Sequence, residues 1–316
     1  MADIRIGTSG WNYPSGKGTW NGIFYPVPPG RRTRKAGGFD ELRFYAEHFN
    51  TVEINSTFYG VPAAATVRGW AERTPEDFEF SLKLYQKFTH PGMFHKATGE
   101  DPSNLGQKDV DEFRAAIDPL ASAGKLGALL AQFPASFKND PDARAYVEWL
   151  LQRFHDYPIA LELRHRSWSD QPVETLQLLD AFGAAWTQID EPKFRFSIRQ
   201  DLLPNVRTFY YLRLHGRNAA QWWSHEKSED RYNYLYSASE LRPFAEAARE
   251  ASREVKKAYL YANNHFSAKS VANAAILKYD LGQPLPGEYP EEFVERYPDL
   301  KGLVKVLPDP LSRKPS

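Results

Sequence analysis

The sequence predicts an α/β protein: a single-domain, TIM-type (β/α)8 barrel with long loops after strands 1, 3 and 7. Eight short apolar runs alternate with amphipathic helical stretches, the pattern of repeated strand–helix units that form a parallel sheet. The length of 316 residues suits one such barrel, which commonly has about 250 residues. An open, doubly wound sheet is the alternative, but no Gly-x-Gly-x-x-Gly turn follows a predicted strand.

The strands are predicted from short apolar runs, and the helices from apolar residues at helical spacing. The eight strands are Ile4–Thr8, Thr51–Ser56, Phe78–Leu84, Leu126–Phe133, Ile159–His165, Ala184–Asp190, Phe209–His215 and Ala258–Asn263. The seven helices are Phe39–Phe49, Ala63–Arg73, Val110–Ser122, Pro141–Phe154, Val173–Phe182, Glu240–Lys256 and Ala268–Leu281. Pro141 and Pro172 suit the first turn of a helix, whereas Gly183 and Gly282 suit its C-terminal cap.

Three long connections, Ser9–Gly38, Tyr85–Asp109 and Gly216–Ser237, each follow a predicted strand. Structureless loops of this length in a compact domain are usually functional or disordered, and the Trp and Tyr in these loops are untypical of disorder. All three would emerge on the same rim of a barrel. We assign residues 1–288 to the barrel domain and residues 289–316, which are rich in proline, to a C-terminal extension.

Composition excludes several classes of protein. The absence of cysteine excludes disulfides, thiolate metal sites, iron–sulfur clusters and cysteine nucleophiles. The balance of 40 basic against 40 acidic residues disfavours nucleic acid as a partner. No apolar run approaches the roughly 18 residues of a membrane span, and no signal-peptide pattern is visible, so we expect no membrane partner and a cytoplasmic location. The sequence makes no prediction of oligomeric state.

Polar side chains are predicted to point into the barrel near the C-terminal ends of its strands. Side chains on a barrel strand alternate between the interior and the helix layer. With the apolar residues facing the helices, the inward or strand-end polar residues are Glu53, Asn55, Ser81, Lys83, Gln132, Glu162, Arg164, Gln188, Asp190, Arg213, His215, Asn263 and Asn264. Barrel enzymes keep their active sites at this end, and an unpaired buried charge needs a partner or a ligand.

We therefore predict a ligand site at the C-terminal mouth of the barrel. The predicted catalytic residues are Glu53, Glu162, Lys83 and His215. The predicted ligand-binding residues are Trp11, Asn55, Tyr59, Gln132, Arg164, Asp190, Arg213, Asn263 and Asn264. A structural interpretation stays open, in which Glu162 and Arg164 pair with Glu53 or Arg213 and the tandem asparagines cap a helix.

A series of motifs, in this order along residues 4–280, resembles the YecE-like family, domain of unknown function 72. The motifs are Gly7-Thr-Ser-Gly-Trp-Asn-Tyr13, Trp20 with Phe24-Tyr-Pro26, Val52-Glu-Ile-Asn-Ser-Thr-Phe-Tyr59, Phe80-Ser-Leu-Lys83, Thr89-His90, Gln132-Phe-Pro134, Glu162-Leu-Arg-His165 with Trp168, Leu214-His-Gly216, Arg231-Tyr-Asn-Tyr-Leu-Tyr-Ser237 and Tyr261-Ala-Asn-Asn264. Leu163 stands where an aromatic residue is common. The resemblance implies a TIM-barrel-like fold and brings no established reaction with it.

The first functional hypothesis is a hydrolase or lyase that acts on a small anionic or polyhydroxylated ligand. A clamp of basic residues (Lys83, Arg164, Arg213, His215) would hold the anion, and Glu53 or Glu162 would be the acid or base. A separate hypothesis, from barrel precedent and the sensitivity of lysine's pKa to burial, makes Lys83 a Schiff-base lysine. A non-catalytic protein that binds a small ligand in the same place is a further alternative.

The second enzyme hypothesis is metal-dependent phosphodiester chemistry on nucleic acid, as in barrel endonucleases. Glu53, Glu162, Asp190 and His215 are oxygen and nitrogen donors of the right kind. No His-x-x-His cluster is present, and a basic residue beside each acid would compete with a cation. We predict no cofactor, and a divalent metal only under this alternative.

Overall fold

The computed structural model describes residues 2–28, 38–200, 207–224, 226–227 and 229–307. Its core is a nearly closed parallel barrel. The strands are β1 (Asp3–Ser9), β2 (Thr51–Ile54), β3 (Glu79–Lys83), β4 (Leu126–Gln132), β5 (Ile159–Glu162), β6 (Ala185–Trp186), β7 (Gln188–Asp190), β8 (Tyr210–Leu214) and β9 (Lys257–Ala262). Their order around the sheet is β6-β5-β4-β3-β2-β1-β9-β8-β7. The predicted fold class is confirmed.

The sixth predicted strand is observed as two pieces. β6 pairs with β5 and β7 pairs with β8, so consecutive pieces of one segment join the two edges of the sheet. Thr187 lies between them, and its N–H donates to the Leu161 carbonyl at 2.9 Å. The eight predicted strands therefore become nine without a change of topology.

All seven predicted helices are observed, and short helices accompany them. The helices are α1 (Glu41–Ala46), α2 (Ala64–Glu72), α3 (Gln86–Thr89), α4 (Pro91–Thr98), α5 (Gln107–Ser122), α6 (Pro141–Arg153), α7 (Arg166–Ser169), α8 (Pro172–Asp180), α9 (Ala238–Glu254), α10 (Lys269–Asp280) and α11 (Glu291–Arg296). The Asp140 carboxylate accepts from the Ala143 N–H and caps α6, while Ser237 and Glu240 form a capping box on α9. The connection after β3, predicted without helix, contains α3 and α4.

Tyrosines fill much of the barrel interior. Tyr211, Tyr259 and Tyr261 are buried among small and aliphatic side chains of the other strands. Each hydroxyl donates to a polar group on the opposite wall: Tyr211 to Glu53 at 2.7 Å, Tyr259 to Glu79 at 2.6 Å, and Tyr261 to Ser81 at 2.9 Å. Since a buried hydroxyl without a partner is costly, these bonds let large rings pack inside the barrel.

We expect Gly7→Ala to destabilise the barrel by about 1–3 kcal/mol, the usual cost of overpacking. A Cβ at Gly7 would lie 2.2 Å from the Thr51 carbonyl oxygen of the neighbouring strand β2. Gly69, inside α2, has no described atom from outside its own helix within 4 Å of that position, so Gly69→Ala should stabilise the protein by about 0.5–1 kcal/mol. Urea unfolding measures both variants. A Gly7→Ala variant as stable as the unsubstituted protein would contradict this packing.

The described part of the C-terminal extension packs against the outside of the barrel. Residues Glu288–Pro290 (β10) and Lys305–Leu307 (β11) form a small parallel sheet. Tyr289 is buried against Phe24 and His48, with ring centroids 6.2 and 4.5 Å apart. The division of the chain at residue 288 stays a prediction. In the part of the chain that is described, no helix is both long enough and apolar enough to cross a membrane.

Candidate functional site

A buried arginine joins two glutamates at the top of the barrel interior. Arg213, on β8, donates through Nη2 to Glu53 at 2.7 Å and through Nη1 to Glu162 at 2.5 Å. Ser9 and Tyr211 donate to the remaining acceptor sites of Glu53, each at 2.7 Å. The predicted inward orientation of these side chains is correct. All the hydrogen bonds of Glu53 are internal, and the structure does not place this carboxylate on the mouth cavity.

Glu162 is equally enclosed. Its Oε1 accepts from Arg164 at 2.6 Å and lies 3.3 Å from His215 Nε2. Burial alone would raise the pKa of Glu162, but Arg213, Arg164 and His215 outweigh burial and hold that pKa well below its ordinary value. Glu162 is therefore an ionised carboxylate at neutral pH and fits an anchoring role better than that of a proton donor.

His215 is buried and neutral at pH 7. Its Nδ1 lies 2.8 Å from Asn263 Nδ2, and its Nε2 lies 3.3 Å from Glu162 Oε1 and 3.3 Å from one guanidinium nitrogen each of Arg164 and Arg213. Burial lowers the pKa of His215 to about 3; Glu162 opposes this shift, and Arg213 and Arg164 add to it. The second asparagine, Asn264, donates to the Tyr234 carbonyl and to Asn273 Oδ1, so it fixes loop structure.

A fall in pH should destabilise the protein through His215. Its folded pKa lies below the unfolded value of 6.5, so the unfolded state binds the proton first as pH drops below about 6.5. We expect this residue to contribute on the order of 2 kcal/mol to the loss of stability between pH 7 and pH 5. Urea unfolding at both pH values should show a smaller loss for His215→Gln. The exposed His155→Gln variant is the control, and equal losses in both variants would contradict the assignment.

A cavity of about 280 Å³ lies above this ionic cluster, at the mouth of the barrel. Four of its lining residues are polar groups from strand ends: Lys83, Gln132, Arg164 and Glu191. The aromatic lining residues are Phe58, Tyr59, Phe194, Phe196, Trp222, Trp223 and Tyr232. The cavity therefore combines a charged floor with aromatic walls, an arrangement that suits a small polar ligand.

Lys83 is the lysine of the cavity floor. Its Nζ lies 3.8 Å from the centroid of the Phe58 ring. Within the described ranges, no carboxylate forms an ion pair with this amine. Burial lowers the pKa of Lys83 to about 7; Arg213 and Arg164 add to the shift, and Glu162 and Glu53 oppose it. The predicted site residue Lys83 therefore lines the mouth cavity, with its amine over the Phe58 ring.

The structure does not bring Asp190 to this cluster, and the expectation that it converges there is wrong. Its carboxylate accepts from Arg217 at 2.8 Å and from Tyr236 at 2.7 Å. The next residue, Glu191, points into the cavity instead and lies 3.5 Å from Arg164. Burial raises the pKa of Glu191, although Arg164 opposes the shift. Counting inward positions from Ala185, which is inside the barrel, would have found Glu191.

Other cavity residues were also missed by sequence reasoning. The connection after β7 supplies Phe194 and Phe196, and the connection after β8 supplies Trp222 and Trp223. His90 lines the cavity as well, and burial, with help from Lys83, lowers its pKa to about 3. These residues lie outside regular strands, so no alternation pattern marks them.

The remaining predicted ligand residues separate into two places. Gln132 lines the mouth cavity, and its Oε1 is 3.4 Å from Arg213 Nη1. Trp11 and Asn55 line a neighbouring cavity of about 470 Å³. Tyr59, 71% exposed, lines both cavities.

The donors at the mouth suit an anion better than a divalent cation. In the described ranges, no group of three or more Asp, Glu or His side chains is arranged to hold a metal ion. Glu53 and Glu162 contact Arg213 and Asp190 contacts Arg217, and each arginine would repel a cation. The carboxylates proposed as metal donors therefore already have positively charged partners.

Comparisons with known proteins agree with this architecture. Residues 5–292 match the model of a family described as "Protein of unknown function DUF72". The chain is 30% identical to the UPF0759 protein YunF of Bacillus subtilis over 277 residues, which are 85% of this chain and 92% of the relative. It is 33% identical to the UPF0759 protein YecE of Escherichia coli K12 over 128 residues, which are 40% of this chain and 43% of the relative.

Two solved structures of DUF72 family proteins are similar in fold. The protein from Thermotoga maritima is 31% identical with a TM-score of 0.70, and the match covers 89% of this chain and all of the other. The protein from Enterococcus faecalis is 25% identical with a TM-score of 0.74, and the match covers 90% and 98% of the two chains. The chain therefore belongs to the DUF72 family.

Proposed function

We propose that the protein is an enzyme of the lyase class in which the Lys83 amine reacts with the carbonyl group of a small anionic substrate. One observation carries the proposal: Lys83 lines the mouth cavity and has no carboxylate partner among the described residues, while Arg213 binds both Glu53 and Glu162 in the barrel interior. Glu53 and Glu162 are therefore held by Arg213, and Lys83 is the nucleophile that we assign to the cavity.

The surroundings of Lys83 favour a reactive amine. With a pKa of about 7, the Lys83 amine is neutral in about half of the protein molecules at pH 7. A lysine is nucleophilic only in that form, and enzymes produce it by burial and by neighbouring cations. Arg164 and Arg231 line the same cavity, where guanidinium groups suit the binding of a carboxylate or phosphate.

The proposed reaction balances with groups that line the cavity. The neutral amine attacks the carbonyl carbon and gives a carbinolamine. Departure of water, with a proton from the Glu191 carboxyl, leaves an iminium ion. The iminium accepts the electron pair of the neighbouring carbon–carbon bond as that bond breaks, which gives an enamine. The departing fragment becomes a carbonyl compound as its hydroxyl proton passes to the Glu191 carboxylate. Glu191 then protonates the enamine carbon, which restores the iminium, and addition of water to the iminium releases the second carbonyl product and free Lys83. The raised pKa of Glu191 favours the protonated acid that this step needs.

The other hypotheses fit the geometry less well. A hydrolase that uses Glu53 and Glu162 as acid and base needs carboxyls that reach the ligand, but both are enclosed. Metal-dependent phosphodiester chemistry needs oxygen donors that are not already paired with arginines. A non-catalytic binding protein would use the same cavity and differs from an enzyme in showing no turnover.

Borohydride trapping tests the proposal. The protein is incubated with glyoxylate, pyruvate, dihydroxyacetone phosphate or ribose 5-phosphate, reduced with borohydride, and mapped by peptide mass spectrometry. We expect at least one of these compounds to give a reduced secondary amine on Lys83, far above the level on exposed lysines. Reduction before addition of the compound is the control. Absence of a Lys83 adduct with all four compounds would overturn the proposal.

A further inference from the structure

A second cavity beside the mouth is lined by uncharged residues. Its volume is about 470 Å³, against about 280 Å³ for the mouth cavity. Among the described residues, its lining contains no Asp, Glu, Lys, Arg or His. Trp11 and Trp70 form one wall, with ring centroids 5.9 Å apart and an interplanar angle of 82°. Such walls favour a ring over a charged group.

The amide of Asn55 is a polar group in this cavity that has no hydrogen-bond partner among the described residues. Its Oδ1 is buried and has no hydrogen-bond partner within the described ranges, and no bond of its Nδ2 is observed there. A buried polar atom without a partner costs about 1–3 kcal/mol. A ligand with a neighbouring donor and acceptor would satisfy both ends of the amide once the side chain turns toward it.

The two cavities adjoin each other at Tyr59. This side chain lines both, and it is 71% exposed. A ligand that passes this exposed side chain would reach both the basic floor at Lys83 and Arg164 and the tryptophan wall. The charge of the ligand would lie at the floor, and its uncharged part would lie at the wall.

We propose that the cavity lined by Trp11, Asn55 and Trp70 is a subsite for an uncharged ring, with adjacent hydrogen-bond donor and acceptor groups, on the anionic substrate. This inference rests on the proposed function, because it takes the anion at the mouth as given. A sugar ring and a nucleobase both have this chemistry. The substrate would then be a phosphate or carboxylate that carries a ring, and not a small acid without a ring.

Calorimetric titration with three probes tests the subsite: inorganic phosphate, glucose 6-phosphate and AMP. We expect glucose 6-phosphate or AMP to bind about tenfold tighter than inorganic phosphate, since a stacked ring is worth about 1–3 kcal/mol. The tighter of the two identifies the ring as a sugar or a base. Thr66, exposed on α2, lines the cavity, so Thr66→Trp should fill it and remove the tenfold gain without changing the affinity for phosphate.

Matched variants separate the outcomes. Ala65→Trp, exposed on the same helix and outside the lining, should keep the gain, and Asn55→Leu should lose it. Equal affinities for all three probes, or a gain that survives both Thr66→Trp and Asn55→Leu, would overturn the subsite and leave the Lys83 proposal standing. Failure of every probe to bind the unsubstituted protein would contradict both the subsite and the anion site.

Discussion

Replacing Arg213 by methionine should destabilise the protein by about 3–5 kcal/mol, the usual cost of removing one partner from a buried ion pair. The substitution leaves Glu53 and Glu162 with a negative charge each in the barrel interior, where water does not reach them. The pKa of Glu162, now held low mainly by Arg213 among its neighbours, should rise. Urea unfolding at pH 7 measures the loss of stability.

Two further variants show whether unpaired charge is the cause. Arg166→Met removes a half-exposed pair with Asp170 and should cost no more than about 0.5 kcal/mol. Adding Glu53→Gln to Arg213→Met should recover part of the lost stability, because one of the two unpaired charges disappears. A loss below about 1 kcal/mol for Arg213→Met would show that the cluster does not stabilise the barrel as described.

Replacing Lys83 by arginine should lower the yield of the borohydride-trapped adduct to the background level of surface lysines. The guanidinium keeps the positive charge but is not deprotonated in proteins, so it forms no imine. Peptide mass spectrometry quantifies the adduct. Lys87→Arg is the matched control, since Lys87 is near in sequence but pairs with Asp109 at 2.5 Å. An adduct that persists in Lys83→Arg and disappears in Lys87→Arg would contradict the assignment.

The barrel and its inward-facing charges could be predicted from sequence because the strands alternate strictly. In Ile159–Glu162 and Tyr210–Leu214 every second side chain is apolar and faces the helices, so Glu162 and Arg213 had to point inward. The sixth strand does not alternate in this way, and it is interrupted at Thr187. Its inward positions, counted from Ala185, lead to Glu191, whereas the prediction placed Asp190 inside.

The sequence does not predict which inward charges pair with each other and which line the cavity. Alternation tells which side chains enter the barrel but not which of them meet across it. Arg213 lies opposite Glu53, and the two are 160 residues apart in sequence. Arg213 pairs with both Glu53 and Glu162, and neither carboxylate forms an ion pair with Lys83. The aromatic walls from Phe194 and Trp223 lie in irregular connections, where no periodicity marks a lining residue.

The titration of the Lys83 amine shows whether this side chain is reactive at neutral pH. Amines are labelled competitively with a trace of acetic anhydride between pH 5 and pH 11, and each lysine is followed by peptide mass spectrometry. The exposed Lys96 provides an internal reference. We expect the labelling of Lys83 to have its midpoint at about pH 7. A midpoint near 10.5, the ordinary value for lysine, would contradict the account.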